Sequence, residues 1–316
     1  MSLYTLPYIP IRQSVYSGGE LFSQVDPADA DSFAATTDFK IYRHFISSGG
    51  ASATDPYVAM TRALHDNGMT QLRNQVIQGH RVSAIMGGHK MRRDSADYRN
   101  VCAMARHLAR EGVLVATGGG PGAMEAAHLG ALLSQASATE LDQALNHLAT
   151  APELPEMRKI VGPDGTVDVD LVRRAHAWFL PAWKIATAGR GVRSLAVPTW
   201  HYGFEPTSPF ATDISKYFQN SIREDGLLEI ATAGIIFTPG RAGTLQEIFQ
   251  DGAQNYYRSF GGFSPMVFFG RQYWTEKFPV IQVLEKLFSP EDFNRCVRVT
   301  DDPVEAARFI VEFPGA

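Results

Sequence analysis

From Arg81 onward, short and almost continuously apolar runs alternate with segments of helical period. RVSAIM, VLVAT, RSLAVPTW, AGIIFTPG and SPMVFFG read as strands buried on both faces, and CVRVTDD as a possible sixth. Between them lie helical patterns. In SADYRNVCAMARHLAREG, Tyr98, Val101, Cys102, Ala105, Leu108 and Ala109 recur on one side, Ser95 suits the N-cap and Gly112 the exit. GAMEAAHLGALL, DISKYFQNSIREDGLLEIA, GTLQEIFQDGAQNYY, EKFPVIQVLEKLF from near Pro279, and PVEAARFIVEF are further predicted helices. Apolar strands separated by helices predict an α/β fold: a doubly wound, mainly parallel Rossmann-like sheet flanked by helices.

Two regions depart from that alternation. Residues 1–75 hold YSGGE, DPADADSF and SSGGASATDP, and read as an N-terminal extension. A helix is expected there from Pro56 to His65, with Asp55 as its cap. Residues 76–316 are then expected to form one Rossmann-like domain, interrupted at about 136–192 by an inserted segment. A small hairpin is expected in that insertion at Gly162 to Gly165.

Composition narrows the function classes. In 316 residues, 45% are hydrophobic and 20% charged, enough for a sizeable core, and the net charge is −4. That balance argues against a nucleic-acid coat protein. Cys102 and Cys296 match no zinc spacing and exclude a disulfide scaffold, which suits a reducing compartment. The start MSLYTLPYIPIRQS lacks the features of an export segment, and no apolar run is long enough to cross a membrane. A soluble cytoplasmic protein is expected.

Ligands of doubly wound sheets bind at the carboxyl ends of strands. The three glycine-rich strand ends, at Gly87-Gly88, Gly118 and Gly240, are therefore expected to face one crevice. Gly118, Gly119, Gly120, Gly122 and Ala123 fit a loose dinucleotide fingerprint, in which glycines let backbone N–H groups approach a phosphate at a helix N-terminus. The acid that would hold a dinucleotide ribose is missing from the next strand end. Glu140 and Asp142 lie at the right distance but before that strand, so NAD or FAD is not expected. The second turn is Pro239-Gly240-Arg241-Ala242-Gly243-Thr244, with Glu247 three residues past Thr244. Glu247 is either a ligand to a sugar hydroxyl or a first-turn acid that complements the helix dipole.

GGGPGAMEAA together with PGRAGTLQE resembles the Lonely Guy family of nucleotide phosphoribohydrolases, often mislabelled lysine decarboxylases, over roughly Arg81 to Tyr257. The glutamate after GGGPGAM, Glu125, also resembles that of the larger bacterial nucleotide 5′-monophosphate nucleosidases of the same superfamily. The resemblance implies cleavage of the N-glycosidic bond of a nucleoside 5′-monophosphate to free base and ribose 5-phosphate, with no cofactor or metal. It implies Glu247 and Arg223 as catalytic residues, Arg223 lying sixteen residues before Pro239. It implies Gly240, Gly243 and Thr244 as phosphate ligands, with Gly118, Gly119, Gly120 and Gly122 at the other turn and Gly87 and Gly88 at the first. It also implies a homodimer. Arg241 replaces a family glycine, and either adds a phosphate contact or blocks the cradle. Glu125 is either a second acid acting on the base or an ordinary first-turn residue. The alternative to an enzyme is a protein of the same fold that binds or senses a nucleotide.

Weaker candidates surround these. Trp200, His201, Tyr202 and Phe204 either stack on a base or belong to the core. Arg92 and Arg93 either meet a phosphate or are solvated.

Overall fold

The computed structural model describes residues 5–188, 191–259 and 262–314. Residues 1–4, where the expected lack of an export segment begins, lie outside them.

The chain enters through α1 (Gly18–Phe22), a 3-10 turn (Ala30–Ala35), α2 (Thr37–Ser47) and α3 (Pro56–Ile77). The alternation follows: β1 (Val82–Met86), α4 (Ala96–Arg110), β2 (Leu114–Thr117) and α5 (Ala123–Leu132). Then come α6 (Ala138–Leu148), α7 (Val169–Ala188), β3 (Ser194–Ala196), β4 (Asp213–Ile214) and α8 (Asn220–Ile230). The last part is β5 (Gly234–Phe237), α9 (Ala242–Tyr257), β6 (Met266–Phe269), α10 (Val280–Leu287), α11 (Pro290–Cys296), β7 (Val297–Thr300) and α12 (Pro303–Glu312).

Among the described residues, seven strands form one parallel sheet in the order β4-β3-β2-β1-β5-β6-β7. This is the doubly wound α/β architecture. The chain moves outward from β1 to β4, then returns to the other side of β1 with β5, so direction reverses between β1 and β5. The strands look continuously apolar because each feeds two cores. Ala84, Met86, Leu114, Ala116, Ile235 and Phe237 face one side. Ile85, Val115 and Ile236 face the other, against α4, α5 and α12. Period-two alternation is present, but both sets are buried.

Two elements differ from expectation. The helix from Pro56 runs past His65 to Ile77, with Asp55 as its cap. The segment DISKYFQNSIREDGLLEIA is not one helix. Asp213 and Ile214 pair with Leu195 and Ala196 as a fourth strand, and the helix begins only at Asn220. Two contacts hold the first part extended. Ile214 bridges Tyr16, and Lys216 is drawn inward to Asp38 at 2.7 Å and Thr207 at 2.9 Å. AGIIF, MVFF and VRVT are therefore the fifth, sixth and seventh strands.

The N-terminal segment and the inserted segment pack on each other. Phe22 and Phe33 meet Phe179 of α7, Arg173 pairs with Asp31, and Arg43 donates to the Gly165 carbonyl at 2.7 Å. At the expected hairpin, Val161 bridges Val167 antiparallel and Gly162 N–H donates to Thr166 O. α3 lies against α8. The Asp66 carboxylate accepts N–H bonds from Phe218 at 3.0 Å and Gln219 at 2.8 Å, which fixes the two residues that lead into α8.

Candidate active site

The three glycine turns do meet. Gly88 N–H donates to the Pro239 carbonyl at 3.1 Å, and Ala123 N–H to the Gly88 carbonyl at 3.2 Å. Thr238, just before Pro239, bonds Met86 O through both its N–H and its hydroxyl. These bonds lock the ends of β1, β2 and β5 around the reversal point. Gly122 makes the junction possible: its φ is +69°, and a Cβ there would stand 2.4 Å from the Gly88 oxygen.

The middle turn is held from beneath. Gly119 N–H donates to Thr117 Oγ1 at 2.9 Å, Thr117 Oγ1 meets His128 Nε2 at 2.8 Å, and His128 Nδ1 meets Ser194 Oγ at 2.9 Å. Burial pushes His128 down to about 3, so the ring is neutral and serves as a polar strut. On the other side, Ser208 N–H donates to the Gly119 carbonyl at 2.8 Å. The turn thus has fixed backbone on both flanks.

Both helices that open at this crevice lack side-chain N-caps. α5 begins after Gly122 and α9 after Arg241, and neither residue supplies a side-chain cap to its first turn. Ala123 N–H at the start of α5 already donates to the Gly88 carbonyl, so the leading N–H groups of α9 are the ones open to an anion. Gly240 is tightly enclosed, since a Cβ would lie 2.1 Å from Thr244 Oγ1, whereas a Cβ on Gly243 would enter open space. Arg241 is exposed rather than folded into the turn, and Tyr273 Oη donates to the Gly240 carbonyl beside it.

Arg223 is the cation of the crevice. It is buried, yet its Nε has no acceptor and no carboxylate among the described residues stands within ion-pairing distance. Its Nη1 lies 3.6 Å from where a Gly118 side chain would begin. An unpaired guanidinium beneath a glycine turn is costly unless an anion completes it. Glu247, half-buried on α9, faces the same space. Burial pushes its carboxyl up to about 7; the Arg223 charge pulls it down and the Glu224 charge adds to the rise. The two helices are tied by Gln246 to Glu224 at 3.1 Å and Gln250 to Asp225 at 2.7 Å, which fixes Arg223 relative to Glu247.

Glu125 does not belong to the crevice as a free acid. It is buried, and both oxygens accept from Arg93 at 2.7 Å while Tyr98 Oη donates to Oε1 at 2.7 Å. Trp178 covers the guanidinium at 3.8 Å. With both oxygens bonded inside the protein and almost no exposure, Glu125 is a structural acid and Arg93 its partner. Neither is solvated or free for phosphate. Arg92 by contrast is exposed and pairs with Asp94 and Glu153.

The aromatic alternatives are decided by burial. Trp200 and Phe204 are core residues, Trp200 donating to Asp38 at 3.0 Å and Phe204 packing on Phe33, Phe39 and Tyr42. His201 and Tyr202 are exposed, and Tyr202 Oη bonds Glu224 and Asn220. Sequence reasoning missed three participants. Asp66 anchors the helix that carries Arg223, Tyr273 holds Gly240, and Glu205 reaches Gly120. Only Glu205 had a local signal, as the acid ending the aromatic segment after β3.

A hollow of about 360 Å³ lined by Asn74, His80, Val82 and Glu229 opens at the amino end of β1, away from all three turns. The three glycine turns lie at the opposite end of the strands. Among the described residues no group of His, Cys, Asp and Glu is arranged around a metal position, and no helix is long and apolar enough to cross a membrane.

No protein-family model matches the chain, and no curated protein matches its sequence significantly.

Proposed function

We propose that the protein is a nucleoside 5′-monophosphate phosphoribohydrolase of the Lonely Guy type. The observation that carries this reading is Arg223: buried, with no carboxylate within ion-pairing distance among the described residues, beside Gly118, and on the helix facing Glu247. The uncapped start of α9 supplies N–H groups for the 5′-phosphate, and Arg223 supplies charge.

Glycosidic cleavage develops positive charge at the anomeric carbon. Glu247 as carboxylate stabilises that charge and orients water. The water oxygen bonds to the anomeric carbon while the C–N bond breaks and its electron pair leaves with the base. The water proton passes to Glu247 and then to the departing base. A carboxyl near 7 suits both halves of that transfer at neutral pH. Phosphate held at a distance from the reacting carbon orients the sugar. The same reading carries a homodimer, which sedimentation velocity tests directly.

The deciding experiment is incubation with AMP, GMP, CMP and UMP, followed by chromatography for free base and an assay for ribose 5-phosphate. Both products from at least one nucleotide are expected. Binding without either product turns the reading into a nucleotide sensor, and neither binding nor product removes it.

A further inference from the structure

Glu205 stands in the crevice without a hydrogen-bond donor among the described residues. Its Oε2 is 3.2 Å from the point where a Gly120 side chain would begin, and its carboxylate accepts no hydrogen bond among the described residues. His89 on the first turn stands at the carboxylate's edge, with Nδ1 3.9 Å from Oε1. The loop carrying Glu205 is firmly built. Phe204 is buried before it, Ser208 N–H bonds Gly119 O after it, and Thr207 bonds the buried Lys216. Ser208 Oγ is also buried without a partner beside the same turn. Lys216 feels the Glu205 charge, together with that of Asp38, against the downward push of burial.

Arg223 therefore marks the Gly118 end of this turn and Glu205 the Gly120 end. Two residues of chain span at most ~7 Å. Arg223 and Glu247 face the sugar and phosphate, so a group at the other end faces what lies beyond the sugar. We propose that Glu205 is the second acid of the site and reads the base, its carboxylate accepting from a guanine-type edge. This rests on the nucleotide reading of the crevice given above. A carboxylate is an acceptor only. Guanine presents N1–H and an N2 amino group side by side, two donors for two oxygens, whereas adenine presents one donor beside an acceptor. Glu205 thereby takes the base-facing place that Glu125, locked to Arg93, does not fill.

Glu205→Gln tests this, because an amide offers one donor and one acceptor and matches adenine rather than guanine. The side chain is partly exposed and unbonded, so the fold tolerates the change; thermal melting checks it, and Glu205→Asp provides a second variant with the carboxylate withdrawn. In the wild type, kcat/KM is expected to favour GMP over IMP, which lacks the amino group. Loss of the matched bond in E205Q is expected to lower kcat/KM for GMP on the order of 100-fold while AMP changes little. An unchanged GMP-to-AMP ratio overturns the inference and leaves the hydrolase reading standing. If the wild type releases no base from any nucleotide, the hydrolase reading fails. Calorimetric affinities for GMP and AMP in wild type and E205Q then still decide whether Glu205 reads the base, an unchanged ratio again overturning it.

Discussion

Arg93 and Glu125 form two parallel hydrogen bonds of 2.7 Å, both side chains almost completely buried, with Tyr98 and Trp178 closing the remaining directions. The pair joins the turn after β1 to the first turn of α5, directly behind the crevice. Removing one partner leaves the other charge buried without compensation. Glu125→Ala is expected to cost ~3–5 kcal/mol in urea unfolding. Protein that remains folded should keep its nucleotide affinity, since Glu125 touches no free surface of the site. A variant of wild-type stability that lost binding would assign Glu125 to the ligand instead.

Asp66 acts across a longer interval. Its carboxylate receives the Phe218 and Gln219 N–H groups at the start of α8, four residues before Arg223. Asp66→Ala removes the acceptor of both N–H groups and is expected to cost ~1–3 kcal/mol. A frayed α8 start also loosens Arg223, so KM or Kd for a nucleoside monophosphate should rise while kcat, measured at saturation, falls less. A kcat loss with unchanged KM would contradict this.

The legible part of this protein is the part that obeys local rules. Five of the buried strands declared themselves because both faces of each are apolar, as Ile85 between Ala84 and Met86 illustrates. The glycine turns were legible for the same reason, since backbone approach requires Gly122 whatever surrounds it. β4 was hidden because two residues, Asp213 and Ile214, carry no periodicity and become a strand only by pairing with β3 and Tyr16. Glu125 and Glu247 look alike in sequence, each an acid in the first turns of a helix after a glycine turn. Their difference is set by Arg93, 32 residues before Glu125, and by Arg223, on another helix. Partners at such separations leave no local pattern.

Asp251 gives a stability test of the α9 interior. It is buried one turn below Glu247, with Oδ2 unpartnered, and burial pushes its carboxyl up to about 8. An acid whose folded value is raised binds its proton more tightly when folded. Its stabilising contribution is complete below the unfolded value and is lost as pH rises through the folded one. Between about pH 4 and pH 8, wild type should lose up to ~1.4 kcal/mol per pH unit relative to Asp251→Asn. Urea unfolding of both proteins at pH 5, 7 and 9 reads the difference, and parallel curves would refute it.

Glu247 makes a kinetic prediction. If it passes a proton between water and base, Glu247→Gln should lower kcat ~10²–10⁴-fold with a smaller effect on Kd. The wild-type kcat profile should bend near pH 7, where the carboxyl changes charge. Full activity in E247Q would remove the residue from the reaction, and a profile flat from pH 5 to 9 would remove its proton.

Gly240 and Gly243 separate fold from ligand within one motif. A Cβ on Gly240 would lie 2.1 Å from Thr244 Oγ1 and 2.7 Å from Thr244 Cβ, so Gly240→Ala forces the turn or Thr244 to move. A loss of ~1–3 kcal/mol is expected, as for other overpacked sites. On Gly243 the added carbon meets nothing, and in a first helical turn alanine outranks glycine by up to ~1 kcal/mol. Gly243→Ala should therefore be as stable as wild type or more so. The open space it enters is the space in front of the uncapped α9 N–H groups, where the 5′-phosphate is proposed to lie. Affinity for a nucleoside monophosphate should fall while affinity for the unphosphorylated nucleoside stays the same. Stability gained together with phosphate affinity lost is a combination that packing alone does not produce. Undiminished nucleotide affinity in Gly243→Ala would place the phosphate away from α9, and with it the sugar away from Glu247.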